Sequence, residues 1–186
     1  MYHIKSDKRQ MQSVNMLIDG LSLLLSEKSF EKITVKEVVE ASKVGRTTFY
    51  RSFDEIKDIL IYEYDNLLKE LAVYIVDYIT NSGMPLGKNI LKPALRFFYT
   101  DESVVQKLMR AGQHEVMKER MLSMFRDFMN NHMQIKSDYK EYYIELRCAI
   151  WTSILFTWIK NDKDIPPDIL AEYVSQQIVE LFGNDE

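Results

Sequence analysis

The chain has 186 residues, a hydrophobic fraction of 46% and a net charge of −4, enough for one or two packed domains but too acidic for a protein that coats nucleic acid. A single cysteine excludes a disulfide framework, and with no signal peptide in view a cytoplasmic protein is expected. Only 6 Gly and 4 Pro stand among abundant helix formers, which predicts an all-α chain, and the most apolar run, Cys148 to Ile159, is too short to span a bilayer.

The elements follow in order. Residues 1–6 read either as a frayed, solvated terminus or as an arm, with Lys5, Lys8 and Arg9 in reach of phosphates. Helix 1 is expected from about Asp7 to Glu27, because Met11, Val14, Leu17, Ile18, Leu21, Leu24 and Leu25 form one apolar stripe. Phe30 and Ile33 in the linker that follows are expected to plug a three-helix core.

From Thr34 to Phe53 two short helices are predicted. Val35, Val38 and Val39 recur at helical spacing, and Thr34 with Glu37 three residues on can form a capping box. The pattern breaks at Lys43-Val44-Gly45 and resumes from Arg46 to Ser52, with Phe49 and Phe53 facing inward. Helix, short turn, helix is the helix-turn-helix layout, whose second helix is presented to the DNA major groove.

Helix 4 is expected from Asp54 or Glu55, where acidic residues suit the positive end of the helix dipole. Its apolar face continues through Ile75 and Ile79, long enough to leave the first domain and enter the second. The clearest break is 81–87. Helix 5 should then run from about Lys88 to Tyr99, with Pro93 kinking it or delaying its start. Helix 6 is expected from a Thr100 or Asp101 cap to near Gly112, and helix 7 carries Met117, Met121, Phe125 and Phe128. Helix 8 is expected over about Ser137 to Lys160, and helix 9 over Asp168 to Phe182. The domains expected are 1–53, a helix-turn-helix DNA-binding domain; 54–80, a linking helix; and 81–186, an effector-binding and dimerisation domain of helical-bundle type, giving about nine helices in all.

The charge agrees with this division. Residues 1–60 carry 10 Lys+Arg against 9 Asp+Glu, while the remainder carries 14 against 19. Such a balance suits a small DNA-reading head on a non-binding body.

The chemistry of the head lies at the start of its second short helix. Arg46 can donate two hydrogen bonds to a guanine, Thr47 can meet a thymine methyl or a base acceptor, and Gly45 lets the backbone approach closely. Tyr50, one turn on, suits a phosphate oxygen. Thr34 at a helix N-terminus offers a second phosphate site, and Lys36, Arg51 and Lys57 are further phosphate candidates. One recognition helix reads only a few base pairs, so two copies about one duplex turn apart, roughly 34 Å, are expected on a near-palindromic site.

Thr34, Val38, Ala41, Val44, Thr48, Phe49, Tyr50 and Phe53, followed by Ile59 and Leu60, resemble in order and spacing the signature of the TetR family of transcriptional regulators. Three positions depart from it: Lys43 stands where a turn glycine is usual, Gly45 where a capping serine is usual, and Ile56 where a lysine is usual, with Lys57 beside it. The resemblance implies base reading by Arg46 and Thr47, and phosphate contact by Thr34, Thr48, Tyr50 and, displaced by one position, Lys57. It also implies a double-stranded operator, a dimer built from the last two helices, and an effector that acts through helix 4. Repression is the expected sign of regulation.

Trp151, Ile154, Leu155, Trp158, Tyr173 and Ile178 on helices 8 and 9 are the candidates for the dimer surface, or else fill the core. Phe97, Phe98, Met109, Met117, Met121, Phe125 and Phe128 could wall a pocket for a small apolar effector; Met124, Met129 and Met133 belong to the same methionine-rich stretch, which reads equally as an adaptable core. His114, Glu115 and Glu119 lack a second Glu-x-x-His partner, so no metal is expected. No cofactor or catalytic motif is seen. The rival reading is a helical protein-interaction module whose head has lost DNA binding.

Overall fold

The computed structural model describes residues 1–5, 7–83, 90–100, 103–132 and 138–182. Among these the order is α1 (Lys8–Glu27), a 3-10 turn (Phe30–Lys32), α2 (Val35–Ser42), α3 (Arg46–Ser52), α4 (Lys57–Ser82), α5 (Leu91–Thr100), α6 (Ser103–Arg110), α7 (His114–His132), α8 (Lys140–Lys160) and α9 (Pro167–Phe182). The fold is all-α, as expected. The Lys88 start of the fifth helix, the Asp101 cap, Met133, Ser137 and residues 84–87 of the expected break lie outside the described residues.

The chain divides into two compact units. The first comprises Met1–Leu67 and Ser103–Met117, and the second Leu68–Glu102 and Lys118–Glu186. α4 contributes Lys57–Leu67 to the first and Leu68–Ser82 to the second.

In the first unit α1 packs along α2, and α3 packs against both. Val14, Leu17 and Leu21 from the α1 stripe are fully buried with Val38, Phe49, Phe53, Ile59 and Leu60. Removing either phenylalanine ring would cost about 3–5 kcal/mol, which is much of the stability of a small domain. Gly20 lets α1 approach α2 closely. α4 begins two or three residues later than expected. Asp58 Oδ2 accepts from the N–H groups of Asp54 and Glu55 at 3.2 and 2.9 Å, so those residues form the bend before the helix. α6 stops at Arg110, because Gly112 takes a left-handed φ of 67° and Gln113 N–H returns to Leu108 O at 3.0 Å.

In the second unit α5 packs on α9. Arg96 grips Asp168 with both arms of its guanidinium, Nε to Oδ1 at 2.7 Å and Nη2 to Oδ2 at 2.5 Å. This pairing holds the Asp168 carboxyl below its usual range. Pro93 sits in the first described turn of α5, where a missing N–H costs nothing. Pro167 opens α9 for the same reason. No helix of the described residues is long and apolar enough to cross a membrane.

Candidate nucleic-acid interface

The head is set first by the α2 cap. Thr34 Oγ1 accepts from Glu37 N–H at 3.3 Å, and Glu37 Oε2 accepts from Thr34 N–H at 2.9 Å, completing the expected capping box. Lys28 Nζ donates to the other oxygen of Glu37. Lys28 first, then Thr34, hold this carboxyl at about 2, well below the ordinary range. The arrangement bears on Thr34 as a phosphate site. Its N–H is already engaged, and a carboxylate stands beside it, so the exposed edge of α2 offers less to an anion than the bare helix end would.

The turn solves a steric problem with an unfavourable residue. Lys43 adopts φ 56°, ψ 25°, the left-handed region that usually takes glycine. Val44 N–H then reaches Val39 O at 3.2 Å and Ser42 Oγ at 3.3 Å, and the Val44 side chain is buried. Gly45 is the reverse case. Its φ of −67° suits any residue, and a Cβ there would meet nothing within 4 Å. The fold does not need glycine at 45; open space on that side leaves room for a close approach from outside.

α3 is two-faced. Phe49 and Ser52 are buried along its inner side, followed by Phe53. Gly45, Arg46, Thr47, Tyr50 and Arg51 are exposed, and Thr48 is half-buried. The Arg46 guanidinium lies 5.7 Å from the centre of the Tyr50 ring, a cation–π contact one turn apart. Six of the nine residues expected to meet DNA therefore lie together on Gly45–Arg51. Lys36 is on α2, 3.9 Å from Glu40, an exposed pair of little strength. Lys57 opens α4 and is paired with Glu55 at 2.9 Å, which raises its pKa.

Residues 1–5 are a strap, not a free arm. Tyr2 forms an antiparallel bridge to Phe53, His3 N–H donates to Ser52 O at 2.8 Å, and Asp54 N–H donates to Met1 O at 3.1 Å. Gln10, a buried polar residue on α1, donates to His3 O at 3.0 Å and to Ser52 Oγ at 3.2 Å, and accepts from Lys5 N–H at 3.0 Å. Tyr2 closes the corner with its hydroxyl on Asp65 Oδ2 at 2.8 Å and its ring against Tyr62. A frayed end does not describe this backbone. The signal in the sequence was Gln10, a polar residue within the inward stripe of helix 1.

The residues expected around an effector are apolar and mostly interior. Phe98, Met117, Met121, Phe125 and Phe128 are buried, and Phe97 and Met109 half-buried. Met109 and Met117 belong to the first unit and the other five to the second. Two open cavities of the second unit have other linings. One, of about 480 Å³, lies beside Tyr74, Asp77, Tyr78, Asn81 and Ser82. The other, of about 300 Å³, lies between α7 and α8 beside Lys118, Glu119, Cys148 and Thr152. Burial pushes the Cys148 thiol up to about 11, which leaves it inert as a nucleophile.

The six candidates for a dimer surface also divide. Trp151, Leu155 and Trp158 are buried in the chain's own core, and Ile154 is half-buried. Trp158 donates its indole N–H to Ile165 O at 2.8 Å and stacks on Tyr99. Trp151 packs against Phe125. Tyr173 and Ile178 are exposed, together with Ile169 on α9 and Tyr142 and Leu146 on α8. Among the described residues no three His, Cys, Asp or Glu side chains are grouped to hold a metal ion.

None of the curated proteins compared with the chain matches it. Solved structures do. Lin0861 from Listeria innocua superposes with a TM-score of 0.77 at 18% identity, over 96% of each chain. A putative TetR-family transcriptional regulator from Syntrophomonas wolfei gives 0.57 at 18% identity, over 91% of this chain and 92% of its own. The TetR family repressor AlkX from Dietzia, implicated in biodegradation of n-alkanes, gives 0.56 at 17% identity, over 90% and 94%. At these identities the likeness establishes the fold. The family described as “Transcriptional regulator C-terminal region”, a C-terminal part of TetR proteins, matches residues 87–179, half of the chain and the half that lacks the helix-turn-helix. With half of the chain matched by this family, the chain belongs to the TetR family of transcriptional regulators.

Proposed function

We propose that the chain is a cytoplasmic repressor that binds a near-palindromic operator as a homodimer. Arg46 and Thr47 read base edges. Thr48, Tyr50, Arg51, Lys36 and Lys57 bind phosphates, with Thr34 a lesser contributor because Glu37 shares its position. The observation that carries this reading is the two-faced α3. Its exposed turn holds a guanidinium, two hydroxyl groups and an unobstructed glycine, while Phe49 on its other side is fully buried. Bidentate and small donors on one exposed turn are the groups that base-edge reading in a major groove uses. The proposed division is 1–53 for reading, 54–80 for linkage, and 81–186 for dimerisation and for an apolar effector. The interior of Met121, Phe125 and Phe128 supports an effector of that kind, since thioethers and aromatic rings repack around apolar guests at low cost.

Selection of duplexes from random-sequence DNA by the purified chain supplies the operator. On that duplex Arg46→Ala should cost about 1–3 kcal/mol and relax specificity at one or two positions, with little change in salt slope. Arg51→Ala should weaken all duplexes alike and lower the slope by about one unit. Failure to enrich any sequence would instead favour a helical interaction module.

A further inference from the structure

We infer that Tyr2 and Gln10 are positioning residues for α3, acting through a strap formed by residues 1–5 and not by touching DNA. The inference rests on the proposal that α3 reads an operator, and adds how its aim is fixed. α3 has seven residues, too few to hold a helix by themselves. Its inner face packs on α1 and α2 through Phe49, and because its leading turn must stay open for a ligand, any further constraint on its aim comes from the other end. The last turn of a helix leaves carbonyls without partners, and here the strap meets that end. His3 N–H satisfies Ser52 O, and the Tyr2–Phe53 bridge and the Asp54 N–H to Met1 O bond extend the pairing over three consecutive residues.

A strap positions a helix only if it is itself fixed. Gln10 fixes one side to α1, using donors on His3 O and Ser52 Oγ and an acceptor for Lys5 N–H. It is a buried polar side chain, and Ser52 beside it is fully buried, so water does not compete for these bonds. Tyr2 fixes the other side to α4, through Asp65 at 2.8 Å and an edge-on contact with Tyr62 at 5.2 Å. The trailing end of α3 is thereby tied to α1 on one side and to α4 on the other. None of these residues lies on the exposed leading face.

Gln10→Met, which keeps the length and burial of the side chain but removes its hydrogen bonds, and Tyr2→Phe, which keeps the ring but removes the hydroxyl that bonds Asp65, test the strap in the full chain. Two duplexes serve as probes: one recovered from random-sequence DNA by the wild-type chain, and a scrambled duplex of the same composition. Gln10→Met should bind the recovered duplex about tenfold more weakly, with the scrambled duplex and the salt slope unchanged. Tyr2→Phe should lie between it and wild type. In both variants amide exchange at His3, Phe53 and Asp54 should quicken while that of α1 and α2 stays as in wild type. Equal discrimination between the duplexes, or exchange that quickens evenly over α1–α3, overturns the inference. If the wild-type chain recovers no duplex, the DNA-reading proposal fails, and localised exchange still decides whether the strap orders α3.

Discussion

Gly20 of α1 lies directly against the backbone of Ser42 at the end of α2. A Cβ on Gly20 would stand 2.8 Å from Ser42 N and 3.0 Å from Ser42 Cα. Those atoms lead straight into the turn, where Ser42 Oγ accepts from Val44 N–H, so they cannot yield without moving α3. Gly20→Ala improves helix propensity by about 1 kcal/mol, but the overpacking it causes costs about 1–3 kcal/mol. The clash is with backbone, so it should win. The expected result is a lower denaturant midpoint for the first unit together with weaker operator binding. A rise in midpoint would show that α1 can move away freely.

Lys43 carries strain that the turn demands and its side chain does not relieve. A left-handed φ costs a non-glycine residue about 1–2 kcal/mol, and Lys43 is exposed with φ 56°. Lys43→Gly removes that strain but adds freedom to the unfolded chain, which returns part of the gain. Net stabilisation of about 0.5–1 kcal/mol is expected, measured as a shift in urea midpoint at constant slope. Lys43→Val should destabilise, since a β-branched residue is worst suited to this conformation.

The α2 cap should be visible in the pH dependence of stability. The Glu37 carboxyl titrates at about 2 in the folded chain, against 4.5 for an unperturbed glutamate, because of Lys28 and then Thr34. A depressed pKa means the contribution is fully present above the unfolded value and is lost as pH falls through the folded one. The melting temperature of wild type minus that of Glu37→Gln should therefore be constant above about pH 5 and shrink towards pH 2. Taking the difference removes Asp54 and Asp168, whose pKa values are also lowered. A difference that does not change over this window would mean that Glu37 is not paired in solution.

The parts of this fold that were legible in the chain are those written in local spacing. Phe49 and Phe53 four residues apart, and Val14, Leu17 and Leu21 along α1, each announce a buried face, Thr34 three before Glu37 announces a helix start, and each is where that spacing puts it. What was not legible depends on partners distant in sequence. Tyr2 and Phe53 pair across fifty-one residues, and no periodicity marks either as a bridge. Gly20 resembles any tolerated helix glycine until α2 is seen against it. Aromatic residues on α8 suggested a surface because they occupy more than one side of the helix. Trp151 and Trp158 instead meet Phe125 and Tyr99, contributed by other helices that a single-helix pattern does not include.

The exposed remainder of α8 and α9 gives the dimer proposal its sharpest test. Ile169 and Tyr173 are four residues apart on α9, one turn on the same side, and both are more than half exposed. Two large apolar side chains in one row tend to be covered in a working assembly. Because neither contributes much to the chain's own core, Ile169→Glu with Tyr173→Glu should leave helix content and melting of the separated chain nearly unchanged. If this row is the interface, the pair places four carboxylates across the two-fold axis, and sedimentation should show the mass halve. Operator affinity should fall by about 10²-fold or more, since each head then binds without the effective concentration supplied by the other. Arg46→Ala by contrast should leave the mass unchanged. A dimer that survives both glutamates would place the contact elsewhere, with Tyr142 and Leu146 on α8 the next residues to substitute.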